Sequence, residues 1–165
     1  MNGNVVLIGM MGCGKTTVGG LLAQQLGFTF VDTDQYIETA LGRSIPDLFA
    51  REGEAFFRER EGEAAEKLAR ETGQVIACGG GLPTRSDSIA PLKETGTVVF
   101  LRREPGEIYD SVSMGGRPLG QQGRAAFLER YARREPIYLR WADHVVDVGA
   151  TPQQTMKQIL EVLEQ

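Results

Sequence analysis

The chain has 165 residues, 41% of them hydrophobic and 24% charged, and carries a formal net charge of −4 at pH 7. That is room for one core of ordinary globular make-up and too little for two comfortable domains. The acidic balance argues against a nucleic-acid footprint and a polybasic membrane contact, and no apolar run approaches the ~20 residues that span a bilayer.

The first element is strand-like, because Val5-Val6-Leu7-Ile8 is an unbroken apolar run. It feeds Gly9-Met10-Met11-Gly12-Cys13-Gly14-Lys15-Thr16, which matches Gly-x-x-x-x-Gly-Lys-Ser/Thr at every fixed place. A helix-spaced segment follows from Thr17 to Leu26, with Val18, Leu21, Leu22 and Leu26 as its apolar positions. Strand, loop and helix in that order make a phosphate-binding loop. Curled backbone N–H groups point inward, and the helix N-terminus adds partial positive charge. Lys15 then reaches the β- and γ-phosphates, and Thr16 offers a hydroxyl to Mg²⁺. The chain is therefore expected to bind a nucleoside triphosphate. Cys13 lies inside this loop near Lys15 and the helix N-terminus, a setting that favours a reactive thiolate.

Further along, Phe28 to Val31 reads as a second strand, ending on Asp32-Thr33-Asp34. Tyr36 to Leu41, Ile45 to Arg51 and Glu52 to Glu71 read as helices, punctuated by Gly42 and Gly53. Gln74 to Cys78 is a third strand, closed by Gly79-Gly80-Gly81. Ser86 to Glu94 is a helix, Thr97 to Leu101 a fourth strand and Pro105 to Val112 a short helix. Ser113 to Gly123 is glycine-rich and aperiodic, and reads as a mobile loop. Arg124 to Trp141 has helical spacing with an interruption expected near Pro136, where the N–H is missing. His144 to Val148 is a fifth strand. The last helix starts with Thr151 as N-cap, Pro152 at its first position and Gln154 completing a capping box. Strands alternating with helices predict an α/β fold, a parallel sheet covered on both faces. Two cysteines, Cys13 and Cys78, form no disulfide framework. With a strand beginning within four residues of Met1, a reducing, cytoplasmic location is expected.

Several polar residues admit two readings. Residues two apart at a strand end project to one side, so Asp32 and Asp34 can share the ligand crevice beyond the sheet, one supporting Mg²⁺ and the other receiving a proton. Equally, they can be turn aspartates capping the next helix. Phe127, Tyr131, Arg134 and Tyr138 share a helix face, where Arg134 either snorkels to water or binds a carboxylate in two parallel bonds. Arg58 has Glu54 four residues before it and Glu61 three after, which a surface salt-bridge ladder would explain. His144 has no acidic or nucleophilic motif around it and reads as structural.

Taken together, these residues resemble the shikimate kinase family nearly end to end. The resemblance rests on Gly9 through Gly19, on Asp32-Thr33-Asp34, and on Ser44-Ile45, Phe49, Gly53-Glu54 and Phe57-Arg58 with Glu61. Gly79-Gly80-Gly81, Arg117-Pro118-Leu119 and Arg134-Glu135-Pro136-Ile137-Tyr138 complete it. It implies the five-stranded parallel sheet of nucleoside monophosphate kinases, in order 2-3-1-4-5 and flanked by helices. One P-loop kinase domain would span residues 1–165, with a lid loop at about 112–124 and substrate-binding helices at about 34–61.

The resemblance also implies roles. Gly12, Cys13, Gly14, Lys15, Thr16, Thr17, Arg117 and Pro152 would bind ATP, with Lys15 holding the transferring phosphate and Arg117 swinging in on the lid. Thr16 and Asp32 would support Mg²⁺. Asp34 would hydrogen-bond the attacking 3-hydroxyl of shikimate and accept its proton. Arg58 and Arg134 would clamp the shikimate carboxylate, while Gly79, Gly80 and Gly81 give close backbone contacts to the ring. The implied activity is ATP-dependent phosphorylation of shikimate to shikimate 3-phosphate in aromatic amino-acid biosynthesis. It would belong to a cytoplasmic monomer that takes small molecules and neither nucleic acid nor membrane.

The chain departs from the family where a lid arginine usually stands about seven positions before Arg117; here that place is Asp110, with Arg102 and Arg103 as candidate substitutes. The competing readings are a gluconate kinase-like sugar-acid kinase and a catalytically silent kinase-like binding module. Intact Lys15, Thr16, Asp32 and Asp34 argue against the second. No Asn-Lys-x-Asp guanine motif supports a GTPase.

Overall fold

In the computed structural model, which describes residues 3–114 and 123–164, every residue of the first strand, β1 (Asn4–Ile8), is buried. β1 pairs in parallel with β3 (Gln74–Ala77) on one side and β4 (Gly96–Arg102) on the other. Val6 stands opposite Ile76 and Val98. A strand flanked on both edges and covered on both faces has no solvent side, which is why its sequence is continuously apolar. β2 (Thr29–Asp32) joins outside β3, and β5 (His144–Asp147) outside β4, all in parallel. The order is β2-β3-β1-β4-β5, as the family resemblance implied.

α1 (Lys15–Leu26) starts from Gly14 at φ 97°, a left-handed turn that only glycine takes without strain. Its buried residues Val18, Leu22 and Ala23 enter the main core with Ile159 of α8 (Pro152–Leu163). α2 (Thr33–Leu41), α3 (Ile45–Glu52) and α4 (Glu54–Ala69) carry a second small core of Ile37, Leu48, Phe57 and Ala64. The helix expected from Glu52 starts at Glu54 instead, after Gly53 at φ 87°, and Glu52 closes α3. α5 (Ser86–Thr95), α6 (Pro105–Met114) and α7 (Gly123–Trp141) complete the layers.

Three expectations are corrected. α7 runs unbroken through Pro136. The Ala132 carbonyl loses its usual partner there, yet Phe127 and Tyr131 before the proline and Tyr138 after it are all buried, so packing holds both halves in line. The helix expected to end at Val112 runs two residues further. α6 reaches Met114 and α7 begins at Gly123, and the two are tied by Tyr109 on Phe127, with ring centroids 5.7 Å apart, and by the Asp110–Arg124 ion pair at 3.2 Å. At the start of α8 Thr151 Oγ1 accepts from Gln154 N–H at 3.2 Å, as a capping box requires. Gln154 Oε1, however, accepts from Ala150 N–H, one residue upstream of the cap.

Candidate active site

The phosphate loop and the carboxyl ends of β1, β2 and β3 frame a cavity of about 570 Å³, lined by Gly12, Gly14, Lys15, Thr16, Asp32 and Asp34 among others. Lys15 is only 8% exposed, and its ammonium donates to the carbonyls of Gly9 at 2.6 Å and Met10 at 2.9 Å. Carbonyls orient a buried cation without neutralising it, so the loop presents a charge suited to an anion. Thr16 Oγ1 donates to Asp32 Oδ2 at 3.0 Å. This hydroxyl and carboxylate side by side form a hard-oxygen pair of the kind that, with phosphate oxygens, suits Mg²⁺. Among the described residues no cluster of three His, Cys, Asp or Glu could hold a metal by itself.

Both carboxylates line this cavity, and Asp32 also caps the next helix. Asp32 ends β2 and caps α2, its Oδ1 accepting from Asp34 N–H at 2.9 Å and Gln35 N–H at 3.1 Å. Asp34 is not a strand residue; it sits in the first turn of α2, which aims its carboxylate across to the end of β3. Burial, then the charge of Asp32, push its pKa up to about 6, with Lys15 and Arg58 pulling the other way.

A second cavity of about 720 Å³ adjoins the first and shares Met11, Asp34, Gly79 and Gly80 with it. The three glycines after β3 each face one functional side chain. A Cβ on Gly79 would collide with the Asp34 carboxylate, one on Gly80 would lie 3.3 Å from Arg134 Nη1, and one on Gly81 would lie 2.6 Å from Arg58 Nη1. The corner is pinned from two sides, with Gly79 N–H donating to Thr33 Oγ1 at 2.9 Å and Tyr138 Oη donating to the Gly80 carbonyl at 2.6 Å.

Arg58 does pair with both acids that the sequence placed near it, but the result is no surface ladder. Glu61 is 1% exposed and takes Arg58 Nη1 at 2.6 Å, while exposed Glu54 sits 3.5 Å from Nε. Burial raises the Glu61 pKa to about 7 against the opposing pull of Arg58, and its Oε2 has no hydrogen-bond partner among the described residues. Arg134, half-buried on α7, lies 3.9 Å from the Met10 sulfur and beside the Tyr138 hydroxyl, and lines the cavity without a carboxylate partner among the described residues. Arg130 and Arg133 line the same cavity. Sequence reading passes over both, although Arg130 lies one turn before Arg134 on the same helix face.

Around the nucleotide side, Pro152 and Thr17 line a third cavity of about 400 Å³ with Cys13 and Gly14. Cys13 is 2% exposed, with its sulfur 3.7 Å from the Lys15 ammonium. Arg117 lies outside the described residues. Asp110 is occupied by Arg124, and Arg102 is bound at 2.7 and 3.2 Å to Asp147 on the neighbouring strand. Arg103 instead donates to the Gly12 carbonyl at 3.2 Å. His144 opens β5 opposite Val99, a structural place.

A parallel sheet with a glycine-rich phosphate loop between β1 and α1, and an acceptor cavity beside it, defines a P-loop kinase. A sequence model of the shikimate kinase family matches residues 11–164. The shikimate kinase of Symbiobacterium thermophilum is 44% identical over 147 residues, covering 86% of this chain and 84% of that protein. The Clostridium beijerinckii shikimate kinase is 36% identical and covers 99% of each. The solved structure of the Acinetobacter baumannii shikimate kinase in complex with shikimate superimposes with a TM-score of 0.88 at 34% identity, over 98% of this chain and 92% of that one. The chain belongs to the shikimate kinase family.

Proposed function

We propose that this cleft transfers the γ-phosphoryl group of ATP to the 3-hydroxyl of shikimate, with Asp34 receiving the hydroxyl proton. Family membership supports ATP-dependent shikimate phosphorylation on the route to aromatic amino acids. The observation that carries the division of roles is the position of Asp34 on the wall shared by the two cavities, with Lys15 on one side and Arg58 and Arg134 on the other. An acceptor hydroxyl against Asp34 has a base at its proton and the loop cation beyond the phosphate. Arg58 and Arg134 grip the substrate carboxylate, and Gly79 to Gly81 let the ring approach the backbone.

Thr16 and Asp32 would hold Mg²⁺, which supplies charge neutralisation at the phosphates when bound. Gly12, Cys13, Gly14 and Thr17 cradle the phosphates through their backbone and the start of α1, and Pro152 borders the adenosine end. We read residues 1–165 as one kinase domain that works as a cytoplasmic monomer, with Arg117 closing on the phosphates; no described helix is long and apolar enough to cross a membrane.

The test is ADP release with shikimate, shikimate methyl ester, quinate and gluconate. Shikimate should be turned over, gluconate not, and the ester should be a poor substrate. Arg134→Leu should lose little further against the ester, because both changes delete one interaction. An ester used as well as the acid sinks the carboxylate clamp. Gluconate preferred to shikimate sinks the substrate.

A further inference from the structure

The acceptor cavity carries more positive charge than one carboxylate requires. Its volume of about 720 Å³ falls in the range that takes drug-sized molecules, more than a single-ring acid fills. Four arginines line it, against the acids Asp34, Glu54 and Glu61. Both glutamates are spent on Arg58, and Asp34 stands on the wall shared with the phosphate cavity. Arg134 takes the substrate carboxylate. That leaves Arg130, half-buried, and Arg133, exposed, with nothing to hold. At the spacings where helix side chains meet, Arg130 has Ala126 and Phe127 before it and Arg133 and Arg134 after it, so α7 offers it no acid. Arg133 has Glu129 four residues before it, yet no ion pair joins the two among the described residues. Residues 115–122 contain no acid in their sequence, so none can come from there.

Like charges three and four residues apart on a helix repel, so this arginine trio costs α7 stability and fold packing does not account for it. We propose that Arg130 and Arg133 form a second anion subsite in the acceptor cavity, and that the cavity thereby takes a ring dicarboxylate, one carboxylate on Arg134 and the other one turn back along α7. Side chains four apart on a helix start about 5–6 Å from each other, a span that 1,3-carboxylates on a six-membered ring can bridge. Guanidinium forks hold each carboxylate in parallel bonds, while Phe49 and Ile137 offer the ring an apolar wall. A molecule bound in this way shuts out the acceptor without touching the phosphate loop.

The proposal rests on the reading of this cavity as the acceptor site, so binding rather than turnover is measured, by calorimetry with MgADP present. The probes are benzene-1,3-dicarboxylate and 3-carbamoylbenzoate, which keeps the shape and the first carboxylate but not the second charge. The parent should bind the dicarboxylate roughly tenfold or more tightly than the amide, and shikimate should displace it. Arg130→Gln should bring the two probes within about twofold of each other by weakening the dicarboxylate alone. Arg133→Gln should narrow the ratio in the same direction, and it decides the matter if Arg130→Gln fails to fold. Arg140→Gln removes an exposed cation of α7 outside the cavity and should leave the ratio as in the parent. A parent that binds both probes alike overturns the subsite, as does a dicarboxylate that binds alongside shikimate. A preference untouched in Arg130→Gln, or an equal fall in Arg140→Gln, overturns it too. If shikimate itself does not bind, the acceptor reading falls, while the probe ratio in the arginine variants still decides the subsite.

Discussion

The phosphate half of the cleft is held by main chain, whereas the acceptor half is held by side chains that arrive from separate helices. Lys15 is steadied by the carbonyls of Gly9 and Met10, and the loop around it is set by glycine backbone between β1 and α1. Asp34, Arg58 and Arg134 come from α2, α4 and α7, and meet only because three successive glycines leave room for them. A site made of backbone tolerates changes in most of its side chains. One made of long charged side chains depends on what surrounds each of them.

The largest effect should come from the one side chain on which the backbone half depends. Lys15→Ala should lose about 3–5 kcal/mol of transition-state stabilisation in kcat/KM, with Tm little changed, because charge building on the transferring phosphoryl loses its direct partner. Turnover within tenfold of the parent would mean that loop N–H groups suffice alone, and the contrast between the halves would be sharper still.

In the acceptor half the two arginines should separate by stability. Replacing either with Leu should raise KM for shikimate by about 2–5 kcal/mol equivalent and leave KM for ATP near normal. Arg58→Leu also strands the buried Glu61 carboxylate, so it should cost about 1–3 kcal/mol of folding stability, while Arg134→Leu should melt like the parent. Denaturant unfolding of both variants decides it, and equal melts break the distinction between a supported and an unsupported arginine.

Gly81→Ala tests the glycine corner itself. Its Cβ would lie 2.6 Å from Arg58 Nη1 and 2.7 Å from Cζ, so the guanidinium must shift. A tenfold rise in KM for shikimate, about 1.4 kcal/mol, is expected. Gly20→Ala is the matched control: nothing lies within 4 Å of that position, and it should leave kinetics unchanged while gaining about 0.5–1 kcal/mol from helix propensity.

The smallest effect concerns protons. Asp34 must be ionised to accept one, and with its pKa near 6 the value of kcat/KM should fall roughly tenfold per pH unit below about 6. Because the native pKa lies above the unfolded 3.8, the fold binds this proton more tightly than the open chain, and stability drops as pH rises through that window. Asp34→Asn removes the effect. It should therefore gain Tm relative to the parent at pH 7.5 and lose that gain by pH 4. A constant difference across the range would place the Asp34 carboxyl in ordinary solvent.

Legibility from sequence follows the same division. The phosphate loop, the parallel sheet and the cap of α8 are local patterns, and residues adjacent in sequence stayed adjacent in space. Asp34 is legible as a site residue, but its place on α2 rather than on a strand end is not, because a cap by Asp32 starts the helix at Thr33, three residues before the expected Tyr36. That Glu61 is buried could not be read from an i, i+3 spacing that surface pairs also show. The same holds for the contact between Gly81 and Arg58, which depends on how α4 packs beside the end of β3. Pro136 misled for a related reason. A local rule about proline is outweighed by three buried aromatic side chains, two before it and one after.

The glycine corner also bears on any attempt to retarget the protein. An engineer widening a cavity normally trims a large side chain, and the sheet side of this one has none to trim: Gly79, Gly80 and Gly81 already end at the backbone. Adding even a methyl there displaces Asp34, Arg134 or Arg58 rather than reshaping the room between them. Room for a bulkier or differently charged acid would have to come from the other walls of the cavity, for example at Ile45, Phe49, Arg133 and Ile137. A library confined to those four positions would vary which acid enters while leaving the phosphate-transferring wall untouched.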